Sequence, residues 1–438
     1  MKKISILILM ILTHCSFDTK TGIWKGNNKT ISKNEKFKNY KKLYTEEKLF
    51  DSIFKPKKNL SINLDSIKKN LVWLNKDYNN TNNSNNFSYK DLNEIIFKSK
   101  KLSRSSVNEN ILFDGDKVIL VNTKGDIIVF SIKDKKILHV YNFYRKKFKN
   151  INKQLNFTID NYILYVSDNI GYIYALDYKN NKLLWAKNYK VPFRSNLKVF
   201  DNKILIADTN NVLYLINKSN GEQLRSIPTE ENPLKSDFSN SLALNDQFLF
   251  FLNTYGSIYS TNFKGDIRWF LNVNRSVSLK ITNLFYSNPI IVHDNKIIIS
   301  TDLNLYIMNI LNGSLINKFA ISSIIKPIVS DQNLFLITNK NLLVCINLKS
   351  GNITYSIDIN DQIANFLKTK KRTVQIKTLF IVNNDLYVFL ENSYLVKFSS
   401  SGNIIDINKL PSKMMSFPIF INESILFLNN KNKLIILN

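Results

Sequence analysis

Gly171-Tyr172-Ile173-Tyr174-Ala175-Leu176-Asp177 is followed by Asn180-Asn181 and then by Leu183-Leu184-Trp185. The apolar run with its alternating aromatics reads as a strand, the Asn pair as a turn, and the closing apolar stretch as a second strand. The unit returns at Asn211-Val212-Leu213-Tyr214-Leu215-Ile216-Asn217 with Asn220-Gly221, and at Gly256-Ser257-Ile258-Tyr259 with Gly265 and Ile267-Arg268-Trp269. Further copies are Leu305 to Asn309 with Asn312-Gly313, and Leu343 to Asn347 with Ser350-Gly351. Weaker ones cover Gly125 to Ser131, Ser393 to Ser399 and Lys433 to Asn438.

Aligned on the central residue, the anchors are Ile128, Tyr174, Tyr214, Tyr259, Tyr306, Val344, Val396 and Ile435, spaced 46, 40, 45, 47, 38, 52 and 39 residues apart. Eight units of this length, each long enough for four short strands, predict an all-β, eight-bladed β-propeller of four-stranded blades. Blades packed face to face around a ring leave few open edges. The last unit, from Ser416, offers three strands, so its fourth must come from elsewhere. Leu71-Val72-Trp73-Leu74 fits that role, with Trp73 in the place of Trp185 and Trp269, and it predicts a ring closed by an N-terminal strand. The Asn-rich stretch Asn79 to Asn86 then reads as a loop into the first blade.

Glycine is scarce, 11 residues in 438, although hairpin turns need positive φ. Asn tolerates that region best among the other residues, so Asn180, Asn211, Asn220 and Asn312 are expected to supply it. The same turn explains Asn312-Gly313-Ser314 better than a glycosylation sequon does.

The N-terminus predicts an address. Lys2-Lys3 precede an apolar run from Ile4 to Leu12, too short to span a bilayer and suited to a signal peptide over 1–15. Leu12-Thr13-His14-Cys15 resembles a bacterial lipobox, with His14 departing from its usual small residue. The resemblance implies lipidation of Cys15, and Ser16 after it favours the outer membrane, facing the periplasm. Residues 16–60 hold 12 Lys against five acids and read as a basic flexible tether, leaving 61–438 for the propeller.

Composition excludes several classes of function. The net charge of +27 invites a nucleic-acid reading, but about two-thirds of it, +18, is spread over residues 61–438 without a nucleic-acid motif. Two Cys and three His make a zinc site or a disulfide scaffold untenable. Cys345, within Leu342 to Ile346, reads as a buried hydrophobe. His139 and His293 read as surface or packing residues, and Asp177, Asp266 and Asp406 as turn residues that bond to the backbone. No nucleophile elbow, phosphate loop or metalloprotease helix is present.

The repeat Tyr-x-Leu-Asp, Gly turn, Leu-x-Trp resembles that of quinoprotein dehydrogenases, propellers that hold pyrroloquinoline quinone and calcium. The vicinal Cys pair and the Trp beneath the cofactor in those enzymes have no counterpart here, so neither cofactor nor catalysis is expected. On a lipoprotein of this size the repeat resembles the BamB family of the outer-membrane β-barrel assembly machinery. That resemblance implies a non-enzymatic scaffold, a monomer within a complex, which binds the barrel-inserting subunit BamA and aids insertion of outer-membrane proteins. Val191-Pro192-Phe193-Arg194 resembles the Leu-x-Leu-Arg loop that contacts BamA in the family. The alternative is that Phe193 packs under the next blade. The second family contact, an acidic loop, would fall at Leu284-Phe285-Tyr286, where both acids are absent. The other reading of the whole chain is an envelope propeller for a cell-wall or small-molecule ligand, marked by a deep central pocket.

Overall fold

A computed structural model describes residues 16–17, 24–25, 49–58, 60–231, 239–274 and 285–438. The chain divides into two units, Met1–Glu47 and Lys48–Asn438. In the first, Ser16–Phe17 pairs antiparallel with Trp24–Lys25; residues 1–15, with the lipidation site expected at Cys15, lie outside the described residues.

The second unit is an all-β ring of eight blades, each a four-stranded antiparallel sheet in simple up-and-down order. The third strands are Asp126–Ser131, Tyr172–Asp177, Leu213–Asn217, Ser257–Thr261, Leu305–Asn309, Leu342–Asn347, Tyr394–Ser399 and Lys433–Leu437, and each carries one of the eight anchors. The two middle strands of a blade face neighbours on both sides, which is why Lys203–Ala207 or Asn333–Ile337 reads as a nearly unbroken apolar run. The outer strand sits at the rim, half in water, and Lys182–Asn188 or Gln223–Ile227 is correspondingly polar. In blades one to seven the register slips between the third and outer strands, one residue past the anchor, as at Ala175/Leu176 and Cys345/Ile346. Such bulges sharpen the local twist of the rim strand.

The ring closes with an N-terminal strand, but not the expected one. Blade eight runs Ile419–Ile421, Ser424–Leu428, Lys433–Leu437 and then Ile95–Lys101. A rim strand must carry polar side chains on its wet face, and Ile95–Lys101, with Lys98, Lys100 and Lys101, does so where the apolar run Leu71–Leu74 does not. Trp73 is instead buried, its ring against Tyr78, Phe87 and Phe380.

Residues 63–90 include Asn79 to Asn86, which the sequence reading took for a loop. They circle the inside of the ring and bond to the free edges of the inner strands. The Asp65 N–H donates to Ser330 Oγ of blade six (2.8 Å), and Asn70 Nδ2 to the Phe420 carbonyl of blade eight (2.8 Å). Trp73 exchanges two backbone bonds with Phe113 of blade one, and the Leu74 carbonyl accepts from Ile159 of blade two (2.8 Å). The Asn80 carbonyl then accepts from Leu244 of blade four and the Thr81 carbonyl from Val292 of blade five, both at 2.9 Å. Asn83 trades bonds with Val329 of blade six, and Asn86–Phe87 adds in parallel to Ile376–Val382 of blade seven. One circuit thus satisfies edge groups that would otherwise be left unpaired inside the ring. Contacts with the blades begin earlier still: Phe54 exchanges backbone bonds with Ser356, and Phe50 donates to the Ala320 carbonyl. They therefore start ahead of the boundary expected at residue 61.

Neighbouring blades are latched at the rim. The outer-strand residue opposite the bulge reaches into the next blade's turn between its third and outer strands. Trp185 Nε1 donates to the Lys218 carbonyl (3.0 Å), Arg225 to Lys264 (3.1 Å), Trp269 Nε1 to Ile310 (3.1 Å) and the Tyr355 hydroxyl to Ser400 (2.9 Å). His139 Nε2 lies 3.2 Å from the Lys179 carbonyl at the equivalent place. Gly221 and Gly313 sit under the Trp rings at φ +70°, where a Cβ would come within 2.5 to 2.6 Å of indole carbons. Positive φ at these turns belongs to Asn181, Gly221 and Gly313 rather than to Asn180, Asn220 and Asn312; only Asn211 of the four expected residues adopts it. Asn220 and Asn312 act one residue earlier, their Oδ1 atoms accepting from the N–H groups of Glu222 and Ser314.

Candidate functional site

Up-and-down order sends the connectors between blades, together with the hairpins joining second to third strands, to one face of the ring. The loop expected to bind a partner, Val191-Pro192-Phe193-Arg194, joins blades two and three on that face. Phe193 does not present its ring there. It is 3% exposed, against Tyr189 and Tyr214 at 5.5 and 6.0 Å between centroids, and its N–H donates to the Asp168 carbonyl (3.1 Å). Phe193 is therefore a packing residue between two blades, because an aromatic beside the Tyr174 and Tyr214 strands gains more from burial than from water. Val191 and Arg194 are half-buried on either side of it, Arg194 with its N–H on the Ala207 carbonyl (3.1 Å). At the second expected contact Phe285 is buried and Tyr286 is exposed, while Leu284 lies outside the described residues.

The same face carries a helix, Ile359–Leu367, in the connector between blades six and seven. Asp358 caps it by accepting from Asn360 and Asp361, and Lys368 ends it at φ +52°. Ile359, Asn360 and Ala364 are buried, whereas Phe366 and Leu367 stand 44% and 48% exposed.

Inside the ring, Asn82 is the hub of a buried polar cluster. Its Nδ2 donates to the carbonyls of Leu242 and Ile290, both at 2.8 Å, and its Oδ1 accepts from Lys198 Nζ at 2.5 Å. Its carbonyl accepts from Lys326 Nζ at 2.7 Å. Asn196 Nδ2 bonds to Asp77 Oδ2 (3.1 Å) and to the Leu242 carbonyl (2.9 Å). Burial alone would raise the Asp77 carboxyl, but Lys326, Lys76, Lys198 and the Asn196 amide outweigh it and hold it below the usual range. Burial pushes the Lys198 ammonium down to about 7, with Asp77 opposing and Lys326 adding to the shift. Sequence reading missed this cluster. Its one signal was the density of amides, six Asn between 79 and 86, each able to give and accept bonds at once.

The cofactors of quinoprotein propellers do not fit here. A flat quinone needs an open slot within the ring, and Asn82, Ser84, Asn86 and Phe87, all at most 3% exposed, fill it. Calcium needs several oxygen ligands including carboxylates, and no group of three His, Cys, Asp or Glu side chains suited to a metal occurs among the described residues. The two expected packing histidines bond to carbonyls, His139 to Lys179 and His293 to Asp331. Asp177 accepts from the N–H groups of Lys179 and Asn180, as its turn position predicts. Cys345 is fully buried and its thiol is pushed up to about 12 by burial, an inert packing residue. No helix among the described residues is long and apolar enough to cross a membrane.

Comparisons with known proteins agree with this architecture. The family model described as outer membrane protein assembly factor BamB matches residues 142–356, the span of blades two to six. An uncharacterised protein of Rickettsia prowazekii (strain Madrid E) is 23% identical over 341 residues, 72% of this chain and 79% of that protein. One of Rickettsia conorii is 25% identical over 347 residues, with 73% and 79% covered. Among solved structures, BamB from Moraxella catarrhalis superposes with a TM-score of 0.61 at 12% identity, over 79% of this chain and 99% of that one. A europium-containing methanol dehydrogenase gives 0.59 at 11% identity over 83% and 89%. A quinohemoprotein alcohol dehydrogenase from Comamonas testosteroni gives 0.61 at 8% over 84% and 80%. The structural likenesses establish the fold, and the resemblance of the repeats to the BamB type is borne out by the family match.

Proposed function

We propose that this BamB-like propeller is a non-enzymatic scaffold of the outer-membrane β-barrel assembly machinery. It binds the barrel-inserting, BamA-like subunit with the connector face of its ring and aids insertion of barrel proteins. The observation that carries the reading is the match of residues 142–356 to the BamB model. The filled ring supports it. With Asn82, Ser84, Asn86 and Phe87 buried inside it, the ring offers its loops and rim among the described residues, which suits a binding partner better than a small ligand.

In this reading the chain is exported, acylated at Cys15 and held at the periplasmic face of the outer membrane. Contact with the partner passes through Val191 and Arg194, since Phe193 is committed to the ring. An aliphatic edge beside a guanidinium is a small anchor of the kind that interfaces use. The test is a cross-link and co-purification from the envelope of cells producing the chain, with processing at Cys15 read by mass spectrometry. Recovery of a BamA-like barrel protein, reduced by Val191→Ala with Arg194→Ala, is the expected result. A processed, anchored chain that brings down no barrel protein would overturn the proposal.

A further inference from the structure

The helix between blades six and seven lies four connectors round the ring from Val191 and Arg194 and ends in a surface that those two contacts do not use. Residues 365–373, Asn-Phe-Leu-Lys-Thr-Lys-Lys-Arg-Thr, form nine consecutive exposed positions with four cations and no acid. Lys371 is tied back to the helix start, its Nζ 2.7 Å from Asp358 and 2.9 Å from Asp361. That pair folds the basic stretch over the first turn of the helix. Thr369 adds an N–H bond to the Ala364 carbonyl (2.9 Å), so the hook has a defined shape. Lys368, Lys370 and Arg372 have no carboxylate partner among the described residues. Beside them Phe366 and Leu367 project into water although the opposite side of the helix is buried.

We propose that this hook docks on an anionic phospholipid surface, with Phe366 and Leu367 entering the interfacial layer and Lys368, Lys370 and Arg372 meeting the headgroups. The charge and the apolar pair are side by side, which is the composition that interfacial helices use. A bilayer surface asks for no fitted cleft, and the hook offers none. A folded acidic partner would need a shaped counterpart around the two apolar side chains. Each basic residue near such a surface strengthens attachment about fivefold, so reversing all three cations should abolish docking. The proposal is independent of the partner assigned to the rest of the connector face.

The experiment uses the full chain carrying Cys15→Ser and Leu367→Cys, labelled with an environment-sensitive fluorophore. Cys345 is buried and stays unlabelled in the folded protein. Vesicles contain either phosphatidylcholine alone or phosphatidylcholine with phosphatidylglycerol, and brominated lipids report depth. The label reads this site alone, whatever holds the N-terminus. On the anionic vesicles the emission should shift to the blue and be quenched by brominated lipid, and salt should weaken both effects. Phosphatidylcholine alone should leave the label in water. Lys368→Glu with Lys370→Glu and Arg372→Glu should remove the response without moving the Tm. A label that stays in water on both vesicles, responds equally to both, survives charge reversal, or responds only when a barrel-assembly protein is added would overturn the proposal.

Discussion

The substitution Asn82→Leu tests whether the inner circuit holds the ring together. It keeps the number and branching of the side-chain heavy atoms, replaces the amide by two bulkier methyl groups and removes its hydrogen bonds. The carbonyls of Leu242 and Ile290 each lose a donor at 2.8 Å, and Lys198 loses an acceptor at 2.5 Å, all in a site with no solvent exposure at residue 82. Two neutral bonds at about 1 kcal/mol and one charged bond at about 2 kcal/mol give roughly 4 kcal/mol. For a unit of this size that is a fall in Tm of about 5 °C. The bond to Lys198 can be isolated by a double-mutant cycle with Lys198→Met. Removing the ammonium from the Asn82→Leu background should return part of the loss, because the charge is then no longer buried without its acceptor. Calorimetry and urea unfolding of all four proteins supply the numbers. A single variant whose Tm lies within about 1 °C of the parent, or a strictly additive cycle, would show that the circuit merely lies in the ring and does not bind it.

Four further outcomes follow from the same geometry. Phe193→Ala should cost about 3 to 5 kcal/mol, read as a drop in unfolding midpoint, while Arg194→Ala leaves the midpoint unchanged and weakens partner recovery. Gly313→Ala forces a methyl against Trp269 at a positive φ and should cost about 1 to 3 kcal/mol, with a change in Trp emission, whereas the same substitution at Gly115, where a Cβ has open space, should cost less. Lys198 is depressed to about 7 when folded against an ordinary value of 10.5, so the unfolded chain binds more protons between those limits and stability should rise from pH 7 towards 10. That rise should shrink in Lys198→Met; Asp77, held low, acts at the other end, its contribution vanishing as pH falls through its folded value. Cys345 should resist thiol reagents in the native protein and react fully in denaturant; modification at native rates would contradict its burial.

The blades were legible because a repeat is read many times over. Tyr174, Tyr214, Tyr259 and Tyr306 recur on the same strand of successive blades, and turns with Gly221, Gly313 and Gly351 punctuate them in register. The inner circuit occurs once and has neither period, so nothing local distinguishes Asn79 to Asn86 from a linker. Its partners are far away, Asn82 meeting residues 160 and 208 positions on. Trp73 misled for a physical reason. A Trp in a short apolar run fits a latch at the rim and a plug at the centre equally well, and only the polarity of Ile95–Lys101 separates the two. Phe193 posed the same ambiguity in a connector, where one aromatic can face a partner or the blade below.

The closure of blade eight also sets when the molecule can exist. Glu94 and Ile95–Lys101 leave the ribosome early, yet they pair with Lys433–Leu437, and the Glu94 carbonyl accepts from the N–H of Asn438. Asn70 likewise waits for Phe420 and Asn422. Contacts so distant along the chain form slowly and leave strand edges open in the meantime. The ring can thus be completed only after residues 433–438 have left the ribosome, and a chain without Lys433–Leu437 would keep Ile95–Lys101 as an unpaired edge for proteases and chaperones to find.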